Sequence, residues 1–124
     1  MIPTTPATTP KGAGDPAAIG DDQLRAMAAA ICTEIPGAEV RLFGSRARGE
    51  ARPDSDVDLL ITAPDAWLAR QDRWDVLDRL RWQLSGPELP VDLMLLSQSQ
   101  VRQRLPLGSS VVAQAYREGV RLDG

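Results

Sequence analysis

Residues 42–61 read LFGSRARGEARPDSDVDLLI, and both the fold and the chemistry turn on them. Upstream, Val40 and Leu42 alternate with Glu39 and Arg41, so the spacing predicts a strand over residues 38–43. Gly44 follows at once and opens a polar, arginine-rich stretch that runs to Ser55. Residues 56–62, DVDLLIT, read as a second strand. Their apolar run Leu59-Leu60-Ile61 predicts burial on both faces of a sheet.

On either side of this pair the pattern is helical. In residues 21–34, Leu24, Met27 and Ile31 recur at spacings of three and four, an amphipathic helix with Asp21 or Asp22 as its cap and Pro36-Gly37 as its end. Residues 67–84 predict a longer helix that turns Trp74, Leu77, Leu80 and Leu84 inward. Its three tryptophans, Trp67, Trp74 and Trp82, read as packing residues. Ser85-Gly86-Pro87 breaks it, and residues 91–96, VDLMLL, form a third strand. Ser97 with Gln100 is a capping box for a short helix that ends at Leu105-Pro106. A last helix over 109–118 stops at Gly119, and residues 120–122 add a short edge strand. The order predicts an α/β (α+β) domain: a small mixed sheet of three to four strands flanked by helices.

Composition bounds the rest. The 124 residues suffice for one domain, placed at 21–124, and residues 1–20, rich in Pro, Thr, Ala and Gly, are expected to be a disordered tail. The net charge of −3 excludes a broad nucleic-acid footprint, and no apolar run reaches the length of a membrane span. One cysteine, Cys32, forbids an internal disulfide and fits a reducing, cytoplasmic compartment. There is no histidine, so histidine-based zinc sites, Ser-His-Asp triads and histidine general bases are excluded together. Catalysis must rest on carboxylates, arginines, hydroxyls and a hard metal.

Asp56 and Asp58 lie two apart on a predicted strand, so both side chains leave one face. Asp92 begins the third strand; if that strand lies beside the second, three carboxylates meet at one sheet corner. Such carboxylates resist joint ionisation, and a hard divalent cation, Mg²⁺ or its substitute Mn²⁺, relieves the repulsion. After the first strand, Gly44 lets the backbone approach a phosphate, the following turn offers N–H groups, and the Ser45 hydroxyl adds a hydrogen bond. Arg46, Arg48 and Arg52 supply guanidinium groups suited to triphosphate oxygens. Each piece alone is ordinary: a turn, a strand end, solvated arginines. Gly-Ser and Asp-x-Asp at one fixed spacing should occur by chance in on the order of one in two hundred chains of this composition.

Gly44-Ser45, ten residues, then Asp56-x-Asp58 closely resembles the signature of the minimal (MNT-type) nucleotidyltransferases of the DNA polymerase β superfamily. Asp92 in VDLMLL matches the family's third carboxylate, and residues 115–122, AYREGVRL, look like the usual family ending. The resemblance covers roughly residues 21–122 and implies a polymerase β palm-like fold. It implies two Mg²⁺ ions: Asp56 and Asp58 hold both, and Asp92 binds the catalytic ion and helps deprotonate the acceptor. Gly44 and Ser45 would contact the β/γ-phosphates of ATP, Arg46 would clamp the triphosphate, and Arg48 would do so more weakly. Larger relatives carry an additional acceptor-holding domain, so here the acceptor is expected to come from another chain or to dock on a small surface; a small-molecule acceptor would need a homo-oligomer whose second subunit completes the pocket. Minimal members are often paired with a helical HEPN-type ribonuclease toxin. The implied role is therefore a type VII-like antitoxin that adenylylates (AMPylates) a tyrosine of such a partner. Two alternatives stand beside it: an aminoglycoside-type small-molecule adenylyltransferase, and a non-catalytic module that only binds its partner.

Overall fold

The computed structural model describes residues 20–51, 55–84 and 90–123. The expected N-terminal tail up to residue 19, the helix break at 85–87 and Arg52 lie outside the described residues. Among the described residues the chain runs α1 (Asp21–Glu34), β1 (Glu39–Phe43), β2 (Val57–Ala63), α2 (Asp65–Ala69), α3 (Arg73–Leu84), β3 (Val91–Ser97), α4 (Gln98–Arg104), α5 (Val111–Glu118) and β4 (Val120–Arg121). The four strands form one mixed sheet in the order β3-β2-β1-β4. β1 pairs antiparallel with β2 and with β4, while β2 pairs parallel with β3. The expected α+β sandwich of helices on a small mixed sheet is the architecture found.

The sheet carries a core on each face, which explains the uninterrupted apolar run of β2. Leu59 and Ile61 join Val40, Leu42, Leu93 and Leu95 under α1 and α3, where Ile31, Ile35, Val76 and Leu80 are fully buried. Leu60 points the other way, into a smaller cluster with Leu96, Val101, Val112 and Ala115 beneath α4 and α5. Burying such side chains contributes roughly 1.5–3 kcal/mol each before the chain-ordering entropy is set against it.

Helix ends follow local chemistry. Ser97 accepts from the Gln100 amide at 3.2 Å while the Gln100 side chain accepts from the Ser97 amide at 2.9 Å, the predicted capping box of α4. Ser110 caps α5 by accepting from the Ala113 amide at 3.0 Å. Gly119 ends α5 for a steric reason: a Cβ there would run into the carbonyl oxygens of Ala115 and Leu42.

Two helical expectations need correction. The N-cap of α1 is Gly20, with no side-chain cap, rather than Asp21 or Asp22. The single helix expected over 67–84 is two. Asp72 accepts from the amides of Trp74 (3.0 Å) and Asp75 (3.3 Å) and so starts a new helix, in which Leu77, Leu80 and Leu84 keep the inward stripe expected and Trp74 does not. Val76, Leu77 and Leu80 then face the core, and Trp74 and Trp82 stand out at 69% and 90% exposure. Trp67 alone of the three packs against the core.

Candidate active site

The site grows from the strand register. In the parallel β2–β3 ladder Asp58 stands directly opposite Asp92, so the two side chains share a face of the sheet. On the other side of β2, Phe43 is paired with Asp58, which places the turn after β1 beside the same carboxyl group. Asp56, one residue before β2 and two before Asp58, is exposed, as is Asp92; Asp58 is half-buried. The strand register thus sets Asp58 opposite Asp92 at the ends of two neighbouring strands, whereas the three-carboxylate cluster expected from spacing is not closed among the described residues.

Its electrostatics are those of crowded like charges. Burial pushes the Asp58 carboxyl above its ordinary range, the charges of Asp92 and Asp56 push it further, and Arg48 and Arg46 partly offset them. The fit to a cation is one of kind: the donors are all hard oxygens, with no histidine in the chain, a set that selects Mg²⁺-like ions. Among the described residues no three acidic or thiol side chains already close around one point, so a bound ion would have to draw the carboxylates together.

Gly44 has φ of +78°, a conformation that side chains with a Cβ rarely adopt, and a Cβ there would collide with the Asp58 carboxylate. Only glycine lets this backbone lie against the carboxyl group. The chain then coils into a turn: the amides of Ala47 and Arg48 donate to the Gly44 carbonyl at 3.1 and 3.2 Å, and Glu50 donates to Ser45 at 2.8 Å. Ser45 begins this turn, where N–H groups face away from the turn's own carbonyls.

The arginines separate. Arg46 folds back across the loop and its Nη2 donates to the Ser55 carbonyl at 2.7 Å, holding the turn against the segment that leads to Asp56. Arg48 is held by two carboxylates, Glu50 at 2.8 Å and Glu118 of α5 at 3.0 Å. A triphosphate would have to compete with them for its guanidinium.

Sequence reading missed what lies beyond Asp92. A cavity of about 270 Å³ starts at Asp92 and runs along β3 between α3 and α4, lined by Arg73, Trp74, Leu77, Arg81 and Arg104 among others. The available signal was the Arg73–Leu77–Arg81 spacing of four, one helical stripe, but the unbroken helix expected over 67–84 turned Trp74 inward and hid it.

A glycine turn fitted against a carboxylate corner is an arrangement that can seat a polyphosphate beside a hard cation. The nucleotidyltransferase domain family matches residues 24–119, and the chain belongs to that family and is a nucleotidyltransferase. Among solved structures, it is similar to a protein described as a minimal nucleotidyltransferase, with 30% identity, 84% of this chain and 97% of that one covered, and a TM-score of 0.53. A nucleotidyltransferase from Sulfolobus solfataricus shares the fold at 19% identity, with 82% and 77% covered and a TM-score of 0.52. A toxin–antitoxin structure with AMP-PNP is similar at 23% identity, with 84% and 73% covered and a TM-score of 0.49, a likeness of general chain path only. No curated protein is similar enough to this chain to count as a match. No helix among the described residues is long and apolar enough to cross a membrane.

Proposed function

We propose that the chain transfers AMP from ATP to a tyrosine hydroxyl of a helical HEPN-type partner toxin, and so acts as its antitoxin in the cytoplasm. The observation that carries the transferase chemistry is the Asp58–Asp92 register, with Gly44 pressed against Asp58. The choice of a protein acceptor is supported by the resemblance of Gly44-Ser45 and Asp56-x-Asp58 to the minimal members of the family, and by the relative described as minimal whose length is almost wholly matched.

In this reading Asp56, Asp58 and Asp92 would hold two Mg²⁺ ions, with Asp56 and Asp58 serving both. When bound, the ions supply Lewis acidity and stabilise both the attacking and the leaving oxygen. The chain's own residues do the rest. Gly44 and Ser45 cradle the β- and γ-phosphates, and Arg46 neutralises charge on them, with Arg48 in a lesser part. Asp92 takes the proton of the acceptor hydroxyl. That oxygen forms a bond to the α-phosphorus as the bond to the β-phosphate oxygen breaks, and pyrophosphate leaves with the electron pair. None of these roles requires histidine.

ATP labelled at the α-phosphate, offered with the candidate partner protein and separately with aminoglycosides, tests the reading. Label on the protein, lost when its tyrosine is replaced by Phe, is the expected result. Label on the drug instead would make this a small-molecule adenylyltransferase, and a tight complex without label would make it a binding module.

A further inference from the structure

Among the described residues β3 is the outer strand of the sheet, with β2 on one side only. In a parallel ladder alternate residues turn their N–H and C=O groups toward the neighbouring strand, and those between turn them away. The Val57 amide donates to the Pro90 carbonyl at 2.9 Å, and Val57 stands opposite Val91. This phase sends the backbone groups of Asp92, Met94 and Leu96 to β2, and those of Leu93 and Leu95 outward. The Leu93 and Leu95 side chains are buried on the α1/α3 face, yet both residues line the 270 Å³ cavity. The outward backbone groups of Leu93 and Leu95 lie along this same edge.

The rest of the cavity has a definite character. Trp74 gives it an exposed aromatic surface. Although the chain is acidic overall, the groove carries Arg73, Arg81 and Arg104, and Asp92 is its only acidic lining residue among those described. Arg73 donates from Nη2 to the Gln100 side chain at 2.8 Å, and its Nε is buried with no hydrogen-bond partner. Arg104 forms no ion pair among the described residues, and the Arg81–Asp78 pair at 3.5 Å lies on the open helix surface, where such pairs hold weakly. Bare strand edges recruit extended segments through main-chain hydrogen bonds, with side-chain pockets setting the choice.

We propose that the outer edge of β3 is the docking site for the acceptor polypeptide. The segment enters as an added strand, its acidic side chains meeting Arg73, Arg81 and Arg104, and its hydroxyl-bearing residue arriving at Asp92. The proposal rests on the transferase reading above and extends it to the chemistry of the partner segment.

A fluorescent peptide alternating glutamate and valine about a central tyrosine is the probe, with fluorescence anisotropy of the full chain as the readout. Saturable binding is expected, weakened about tenfold or more in the R81E/R104E double variant because both substitutions lie on exposed helix positions that meet the peptide's charge. N-methylating one alternate set of the peptide's amides should remove binding, while methylating the other set should leave it. Absence of binding, or binding indifferent to both the charge reversal and the choice of methylated set, overturns the proposal. Binding of a non-hydrolysable ATP analogue to the wild-type chain is read separately by calorimetry. Analogue binding without peptide binding rejects the docking edge and leaves the transferase reading standing; peptide binding without analogue binding upholds the edge and rejects that reading.

Discussion

Asp58 is the residue on which opposing demands meet. Folding half-buries it and sets it across from Asp92, so its carboxyl group is pushed above the ordinary value of 3.8. A carboxyl raised in this way contributes most to stability below 3.8, and that contribution is lost as pH rises through the folded value. Asp58→Asn should therefore raise the Tm of the metal-free chain at neutral pH, with the gain shrinking on acidification, while transfer is abolished. A melt series in EDTA from neutral pH downward checks the first part, and label transfer the second. Gly44 is the complementary case. Gly44→Ala places a Cβ at φ +78° and against the Asp58 carboxylate. It should cost about 1–2 kcal/mol from backbone strain alone, seen as a lowered urea midpoint, and it should weaken ATP binding as the turn shifts. For Arg46, whose Nη2 already spans the loop to Ser55, Arg46→Ala should weaken ATP affinity in calorimetry more than it changes the metal requirement. Unchanged affinity would remove it from the triphosphate clamp.

At the scale of elements, the strands are legible in the sequence because their periodicity has one solution. Val40 and Leu42 alternate with Glu39 and Arg41, which Tyr116 of α5 only partly covers, and Leu59-Leu60-Ile61 is continuous because β2 is buried on both faces. Ser97 and Gln100 announce α4 because their capping bonds are local. The break between α2 and α3 is less visible, since Asp72 reads as an ordinary helical residue until its carboxylate is seen on the Trp74 and Asp75 amides. The edge of β3 is invisible for another reason: which backbone groups point outward depends on ladder phase, a property of two strands together. Long-range ties are equally hidden. Asp123 accepts from the Val40 amide at 2.9 Å and from Arg121 at 3.0 and 3.1 Å, fastening the segment after β4 to β1. Burial raises its pKa, but the Arg121 and Val40 hydrogen bonds outweigh that and hold it below the usual carboxylate range. Its stabilisation is thus present above 3.8 and is lost as pH falls through the lower folded value. Asp123→Asn should cost about 1–3 kcal/mol at neutral pH, with the difference from wild type narrowing in acid, as read from urea melts.

Across the whole molecule, the sheet brings residues 44, 58 and 92 to one corner although they are distant in sequence, and the helices serve to cover the two faces that make this register unique. The turn residues are recognisable in the sequence because glycine at a left-handed position and paired acids on a strand have few alternatives in combination. The fate of Arg48 is not, because Glu118 reaches it from the far end of α5. In the function proposed above, this corner is neutralised by a cation together with a nucleotide. Mn²⁺ binding followed by electron paramagnetic resonance, with a non-hydrolysable ATP analogue present, measures that directly. The wild-type chain should take up about two ions, and Asp92→Asn should lose one of them while keeping its fold by circular dichroism. Wild-type uptake no greater than that of an Asp56→Asn, Asp58→Asn, Asp92→Asn triple variant would contradict a metal role for these carboxylates.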